Sequence, residues 1–160
     1  MRRITLYFVL LLLGSSFFGS RLGFAKDETV DELKARFANA RAEDRPELGI
    51  HIAQHQLRNA DKLYNEGNVE KAHEAVNDIL TYTEKARDAA VQTKKRLKNV
   101  EIDARKMADK LRDIKRTLAV EDQPPVDEAI RRLEDVRTEL LKEMFAKDKK
   151  DKKDKKQEKK

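Results

Sequence analysis

A run of apolar residues with alternating spacings of three and four extends from Val69 to Leu118 without a slip and without any Gly or Pro. Sustained for about seven heptads, such a repeat predicts one continuous helix with a coiled-coil seam, about 75 Å long. A helix of this kind is not stable alone in water, so other segments or a second copy must cover the seam. Its positions are Val69, Ala72, Val76, Ile79, Thr83, Ala86, Ala90, Thr93, Leu97, Val100, Ala104, Met107, Leu111, Ile114 and Leu118.

Two shorter helices are predicted before this run. Thr29 and Glu32 have the spacing of a capping box, which begins the first helix. Pro46 suits the first position of a second helix. Gly67 suits a left-handed cap, and it predicts a hairpin in which the second helix runs back along the long one. Whether the first helix folds back or continues straight past Pro46 stays open at this point.

A last helix is predicted after the turn Asp122–Pro125, because its apolar residues keep the same spacing. These residues are Val126, Ala129, Leu133, Val136 and Leu140. The predicted fold is therefore all-α, an elongated antiparallel helical bundle or coiled coil. It is built on one long central helix, about Val69–Leu118, with shorter helices packed along it. The helical domain spans residues 26–146.

The first 25 residues have the order of a secretory signal peptide. A positive start, Met1–Arg3, precedes the apolar stretch Ile4–Leu13, and small residues at Gly23 and Ala25 suit cleavage after Ala25. The alternative is an uncleaved anchor, for which ten apolar residues are short of the roughly 20 that span a membrane. The sequence therefore predicts export to the periplasm or the exterior, with membrane association as an open alternative.

The net charge of +6 is concentrated at the carboxyl end. Residues 147–160 hold nine Lys against four acidic residues, whereas residues 26–146 hold 24 basic and 26 acidic residues. The body therefore shows no excess of positive charge that favours nucleic acid. The lysine-rich tail has no apolar residue to bury and is expected to be disordered, or at most a helix extension. It is expected either to attach weakly to an anionic surface or only to aid solubility.

The residue types available for catalysis are few once the leader is set aside. No Ser and no Cys remain, so a Ser or Cys nucleophile cannot be assembled. Only Gly49 and Gly67 remain, which excludes a glycine-rich phosphate loop. The sequence therefore predicts a protein that is not an enzyme and that has no cofactor.

The histidines are weak candidates for metal binding. His51 and His55 lie four residues apart, a spacing at which two side chains on one helix can reach the same ion. They fall opposite the apolar stripe of their helix and are expected to face solvent. His73 follows Glu70 at the spacing used in pairs by di-iron bundles, but no second copy of that unit occurs. No metal site is therefore predicted.

Three classes of function fit these observations. The first is an exported, non-enzymatic helical protein of the cell envelope that acts by binding, as a scaffold or adaptor for an unidentified protein partner. The second is an envelope chaperone or stress sensor. The chain resembles the small helical periplasmic proteins of that type in size, export and helix content, but it lacks their Leu-Thr-x-x-Gln motifs. The third is metal binding through His51 and His55.

A homodimer is predicted from the middle of the long helix. Pairing of the flanking helices outward from their turns leaves part of the seam uncovered. The first helix would cover it if the chain continued straight past Pro46. Alternatively, the same stretch of a second copy would cover it by crossing antiparallel near Thr93, where small residues allow two backbones to approach closely. The predicted contact residues are Ala89, Ala90, Thr93 and Leu97.

Export has a direct test. We expect the chain isolated from its host to begin at Lys26, because the leader has its charged, apolar and small-residue regions in order. Intact-mass measurement of the native protein checks this expectation. Recovery of the chain from the cytosolic fraction with Met1–Ala25 still attached would contradict it.

Overall fold

The described part of the chain is built from helices alone. The structure is a computed structural model that describes residues 28–157, with side-chain surroundings given for residues 28–146. Within this part there is no strand, and the predicted all-α class is confirmed. The elements are α1 (Val30–Asn39), α2 (Arg45–Asn65), α3 (Val69–Thr93), α4 (Leu97–Lys115), a 3-10 turn (Val120–Asp122) and α5 (Gln123–Gln157). The predicted signal peptide, residues 1–25, lies outside the described residues.

The prediction of one continuous helix over Val69–Leu118 is wrong. The chain leaves the helix at Thr93 and enters a new one at Leu97. Between them, Lys94 and Arg96 adopt left-handed backbone conformations with φ of 56° and 59°. The apolar period does not reveal this turn, because two antiparallel helices that share one core need the same spacing.

Ion pairs between helices give the direction of each one. Glu47 and Asp61 on α2 pair with Arg96 at the start of α4 and with Lys110 within it, at 2.6 and 2.8 Å. The partner on α4 has a higher residue number when the partner on α2 does, so α2 and α4 run parallel. The three-residue connection between α2 and α3 makes those two helices antiparallel. Since α2 and α4 are parallel, α3 and α4 are also antiparallel, and the chain reverses between them.

The last helix completes a bundle of two hairpins. Glu101 and Lys115 of α4 pair with Arg137 and Asp127 of α5, at 2.8 and 2.6 Å, so these helices run antiparallel. The bundle therefore consists of an α2–α3 hairpin set beside an α4–α5 hairpin. No helix within residues 28–157 has both the length and the apolar character that crossing a membrane requires.

One continuous core runs between the two hairpins. The residues predicted for the last helix, from Val126 to Leu140, are all buried. The two polar positions of the apolar repeat are accommodated locally, since the hydroxyls of Thr83 and Thr93 donate to the carbonyl oxygens of Ile79 and Ala89, each at 2.7 Å. Most of the repeat is thus buried despite the turn that divides it, and Val69, Thr93 and Leu118 are half-buried.

The local signals at helix ends are confirmed. Thr29 and Glu32 form the capping box of α1. Helix α2 begins at Arg45, so Pro46 is its second residue, one place after the predicted first position. Gly67 has a φ of 73°, and its N–H donates to the carbonyl oxygen of Tyr64. The next N–H donates to the carbonyl of Leu63, which completes a Schellman motif.

Helix α1 folds back onto α2 and α3 instead of continuing straight. Its Phe37 ring meets Tyr82 of α3 edge to face, with centroids 5.4 Å apart. Lys34 pairs with Asp78 of α3 at 2.6 Å, and Leu33 is fully buried. The turn before α2 therefore reverses the chain, and α1 lies across the start of the first hairpin.

The backbone of α5 continues past the bundle. Its last ion pair with α3 joins Lys94 to Glu143, and the helix extends to Gln157. The helical backbone thus reaches into residues 147–160, for which the sequence predicts a disordered tail or a helix extension.

Substitution of Gly49 by alanine tests the close approach of α2 to α3. An added Cβ would lie 2.8 Å from the backbone oxygen of Tyr82 and 3.0 Å from the Cβ of Ala86. We expect Gly49→Ala to lower the free energy of unfolding by about 1–3 kcal/mol, although alanine is the better helix former. Urea denaturation measures the change.

Gly67 provides the comparison, since a Cβ there meets nothing within 4 Å and only the positive φ opposes it. Gly67→Ala should cost about 1 kcal/mol, and Gly67→Asn should cost less, because asparagine tolerates the left-handed region. A neutral or stabilising Gly49→Ala would show that the two backbones are not in close contact.

Candidate functional site

An open groove of about 1060 Å³ lies between α1 and α4, with α2 as its floor. It brings together three elements that are distant in sequence. The lining residues are Ala35, Arg36, Asn39 and Ala40 from α1; Asp44, Pro46, Glu47, Leu48, Ile50, His51 and Gln54 from α2 and its N-cap; and Arg96, Asn99, Val100 and Asp103 from α4 and its N-cap.

The walls of the groove are held in place by packing and by ion pairs. On one side, burial of Leu33 and the contact of Phe37 with Tyr82 fix α1 against the first hairpin. On the other, Arg96 pairs with Glu47, and Val100 is buried against the core. A site whose walls are fixed in this way is preorganised, so a ligand need not order it on binding.

Most charges in the groove already have partners. Arg36 pairs with Glu28, Arg96 with Glu47, and Asp44 with Arg41. Asp103 is half-buried and forms no ion pair with another described residue. One carboxylate is therefore left to attract a positive group.

Three amide side chains also line the groove, one from each helix. Asn39 donates to the carbonyl oxygen of Ala35, which leaves its own amide oxygen as an acceptor. Gln54 of α2 and Asn99 of α4 lie on the floor and the far wall. An amide can donate and accept at once, as a peptide backbone does. The groove thus offers polar contacts that suit a polypeptide backbone.

The histidines are divided between two places. The rings of His51 and His55 lie 5.0 Å apart on α2, and His51 lines the groove. His73 packs instead against Tyr64 beside the α2–α3 turn, with ring centroids 5.9 Å apart. In the part of the chain that the structure describes, no group of three or more His, Cys, Asp or Glu is placed to hold a metal ion.

The predicted dimer contacts lie at the reversal between α3 and α4. Ala90 is fully buried and Leu97 is 6% exposed, both within the core of a single chain, and Ala89 is buried as well. Thr93 is half-buried, and its hydroxyl also accepts from the N–H of Lys95 at 3.4 Å. The uncovered seam that motivated the dimer is therefore covered by the chain's own helices.

A second polar feature is buried at the opposite end of the bundle from that reversal. The hydroxyl of Tyr64 and the Nε2 atom of His73 have no hydrogen-bond partner among the described residues. Burial, reinforced by the negative charge of Asp122, raises the pKa of Tyr64 to about 12. Tyr64 therefore stays protonated at neutral pH.

Sequence reasoning missed both the groove and the reversal that creates its far wall. The groove depends on three segments meeting in space, and no single segment carries a signal for it. The reversal has a weak signal in Lys94, Lys95 and Arg96, since basic residues are favoured at the end of a helix.

The buried tyrosine predicts a pH effect. Because the folded pKa of Tyr64 exceeds that of an unfolded chain, its contribution to stability is complete below about pH 10 and is lost as the pH rises through about 12. Tyr64→Phe should remove this part of the alkaline decline. It should leave stability near neutral pH unchanged or higher, because it removes an unpaired hydroxyl.

Urea denaturation at pH 7 and pH 11 measures both effects. Tyr82→Phe is the matched control, since it changes the only other tyrosine outside the leader and should keep the decline caused by Tyr64. If the free energy of unfolding fell equally between pH 7 and pH 11 in Tyr64→Phe and in the unaltered chain, the raised pKa of Tyr64 would be contradicted.

Comparison with known proteins adds no functional information. No protein-family model, no curated protein and no solved structure matches this chain.

Proposed function

We propose that this chain is an exported, non-enzymatic binding protein of the cell envelope that holds an extended segment of another protein in the groove between α1 and α4. The observation that carries the proposal is the groove itself, about 1060 Å³ in volume and lined from three helices. Export comes from the leader, residues 1–25, and the lack of a Ser or Cys nucleophile after it favours a binding role.

The lining indicates what kind of segment would fit. The amides of Asn39, Gln54 and Asn99 suit the N–H and C=O groups of an extended backbone. The unpaired carboxylate of Asp103 suits a Lys or Arg side chain, because a charge-assisted hydrogen bond is stronger than a neutral one. The apolar lining from α1 is Ala35 and Ala40, which leaves room for side chains of the partner.

A general chaperone is the less favoured alternative. Binding many unfolded clients calls for a broad exposed apolar surface. Among the described residues, the large apolar side chains that are well exposed are Val120 and Phe145, at 80% and 62%. Val120 lies in the 3-10 turn before α5 and Phe145 lies about six turns into that helix, so they do not form one surface. A formed groove with specific polar contacts favours a defined partner.

Metal binding remains a proposal with its own observation, the closeness of the His51 and His55 rings on an accessible helix. Two nitrogen ligands are fewer than the four that structural zinc sites use. A zinc titration that gave tight binding, abolished by His51→Ala, would favour that function over polypeptide binding.

The groove can be tested by filling it. A photo-crosslinking residue at Gln54 should give an adduct of one defined mass in native envelopes. Ala35→Trp should reduce its yield about tenfold or more, because the indole occupies the groove. Ala38→Trp is the matched control: Ala38 is also exposed on α1, three residues away, but it does not line the groove.

The role of the Asp103 carboxylate can be tested with a matched pair of substitutions. Asp103→Asn should lower the adduct yield, whereas Asp135→Asn, at an exposed position of α5, should not. Thermal unfolding of each variant separates lost binding from lost folding. A scatter of adducts of many masses, or an equal yield with Ala35→Trp and Ala38→Trp, would refute a specific groove.

A further inference from the structure

The turn between α3 and α4 lies inside a sequence that also suits a continuous helix. The apolar spacing of four and three passes through it without a change of phase, from Ala86 and Ala90 through Thr93 to Leu97 and Val100. No Gly, Pro, Asn or Asp stands between Thr93 and Leu97. The residues usual at a helix end or a tight turn are therefore absent, and local sequence does not by itself require the reversal.

The backbone of the turn is strained. Lys94 and Arg96 have φ of 56° and 59°, in the left-handed region that is disfavoured for residues with a Cβ. A straight helix through these positions would return both residues to the favoured right-handed region. The strain is thus released by opening the turn.

The contacts that oppose opening do not depend on the turn being closed. Lys94 pairs with Glu143 and Lys95 with Glu43, and their side chains are largely exposed, so salt weakens these pairs. The larger contribution is the burial of the α4–α5 hairpin against α2 and α3, which includes Leu97 and Val100. The same surface can be buried by an identical hairpin from a second chain.

We propose that two copies of this chain exchange their α4–α5 hairpins. In the exchanged dimer the turn straightens, and α3 and α4 become one helix from Val69 to Lys115. At 1.5 Å per residue this helix is about 70 Å long. Each α4–α5 hairpin then packs on the α2–α3 hairpin of the other chain, and the two long helices cross antiparallel near Lys95.

The occupant of the opened face is therefore a second copy of this chain. Contacts between the hairpins that lie outside the hinge are re-formed with an identical partner, including the burial of Val100. The ion pair of Lys110 with Asp61 lies farther from the hinge and is re-formed between chains. A short hinge that is strained when closed favours exchange of this kind.

The exchange does not depend on the proposed function, but it would change the make-up of the groove. Asn99 and Asp103 come from α4, whereas Asn39 and Gln54 come from α1 and α2. In the exchanged dimer each groove would take its floor and one wall from one chain and its far wall from the other. A failure of exchange would leave the groove of the single chain intact.

The hinge can be tested with two pairs of substitutions that remove the same charges. Lys94→Gly with Arg96→Gly relieves the strain of the closed turn and should favour the monomer. Lys94→Ala with Arg96→Ala keeps a Cβ at both positions and favours the straight helix. We expect the dissociation constant of the dimer to be at least about tenfold lower for the alanine pair than for the glycine pair.

The chain as processed by its host is warmed to partial unfolding at high concentration, cooled, and examined by sedimentation equilibrium. The shape of the hinge is read from a distance between spin labels on cysteines that replace Asn77 and Asp113, and the chain has no other cysteine. In the straight helix these positions lie about 54 Å apart. In the closed hairpin they lie within about 30 Å, since packed helices are about 10 Å apart.

Dilution of labelled chains with a tenfold excess of unlabelled chains restricts the measurement to labels within one chain. A dimer that shows the longer distance supports exchange. A dimer that shows only the shorter distance is formed by intact bundles and overturns the proposal. A monomer in both the unaltered chain and the alanine pair also overturns it, as does an equal dissociation constant for the alanine and glycine pairs.

Discussion

The reversal of the chain at residues 94–96 is the constraint on which the rest of the structure depends. Its three cations pair with acids on three different segments: Lys94 with Glu143, Lys95 with Glu43, and Arg96 with Glu47. Holding two residues in left-handed geometry costs about 2–4 kcal/mol. Three exposed ion pairs return at most about 1 kcal/mol each, and burial of Leu97 returns about 2 kcal/mol. The ion pairs of the turn therefore at best balance its cost, and burial of the core that the turn closes supplies the surplus.

Helix ends and buried faces were the predictable part of this fold. The capping box at Thr29, the proline at the start of α2, and the Schellman turn at Gly67 each depend on residues within one turn of helix. The buried positions of α5 follow from spacing alone. In each case the physical cause is local, so a sequence window contains all of the information that the prediction needs.

The position of the central turn and the existence of the groove could not be predicted in the same way. The repeat that places Ala90 and Leu97 in a core is satisfied equally by a partner helix and by the chain's own return. The groove combines α1, held by the contact of Phe37 with Tyr82, with Asn99 and Asp103 of α4. These contacts join residues that are far apart in sequence, and the sequence pattern within one helix does not predict them.

Two of the surface ion pairs have a mechanical consequence. Glu47 and Asp61 are fourteen residues apart on α2, and their partners Arg96 and Lys110 are fourteen residues apart on α4. Sliding of α4 along α2 by one turn, about 5.4 Å, would break both pairs together. Each pair is weak, but because the spacings match, both pairs can form together in only one register of α4 along α2. That register decides which residue of α4 stands opposite Gln54, and so it fixes the alignment of the two sides of the groove.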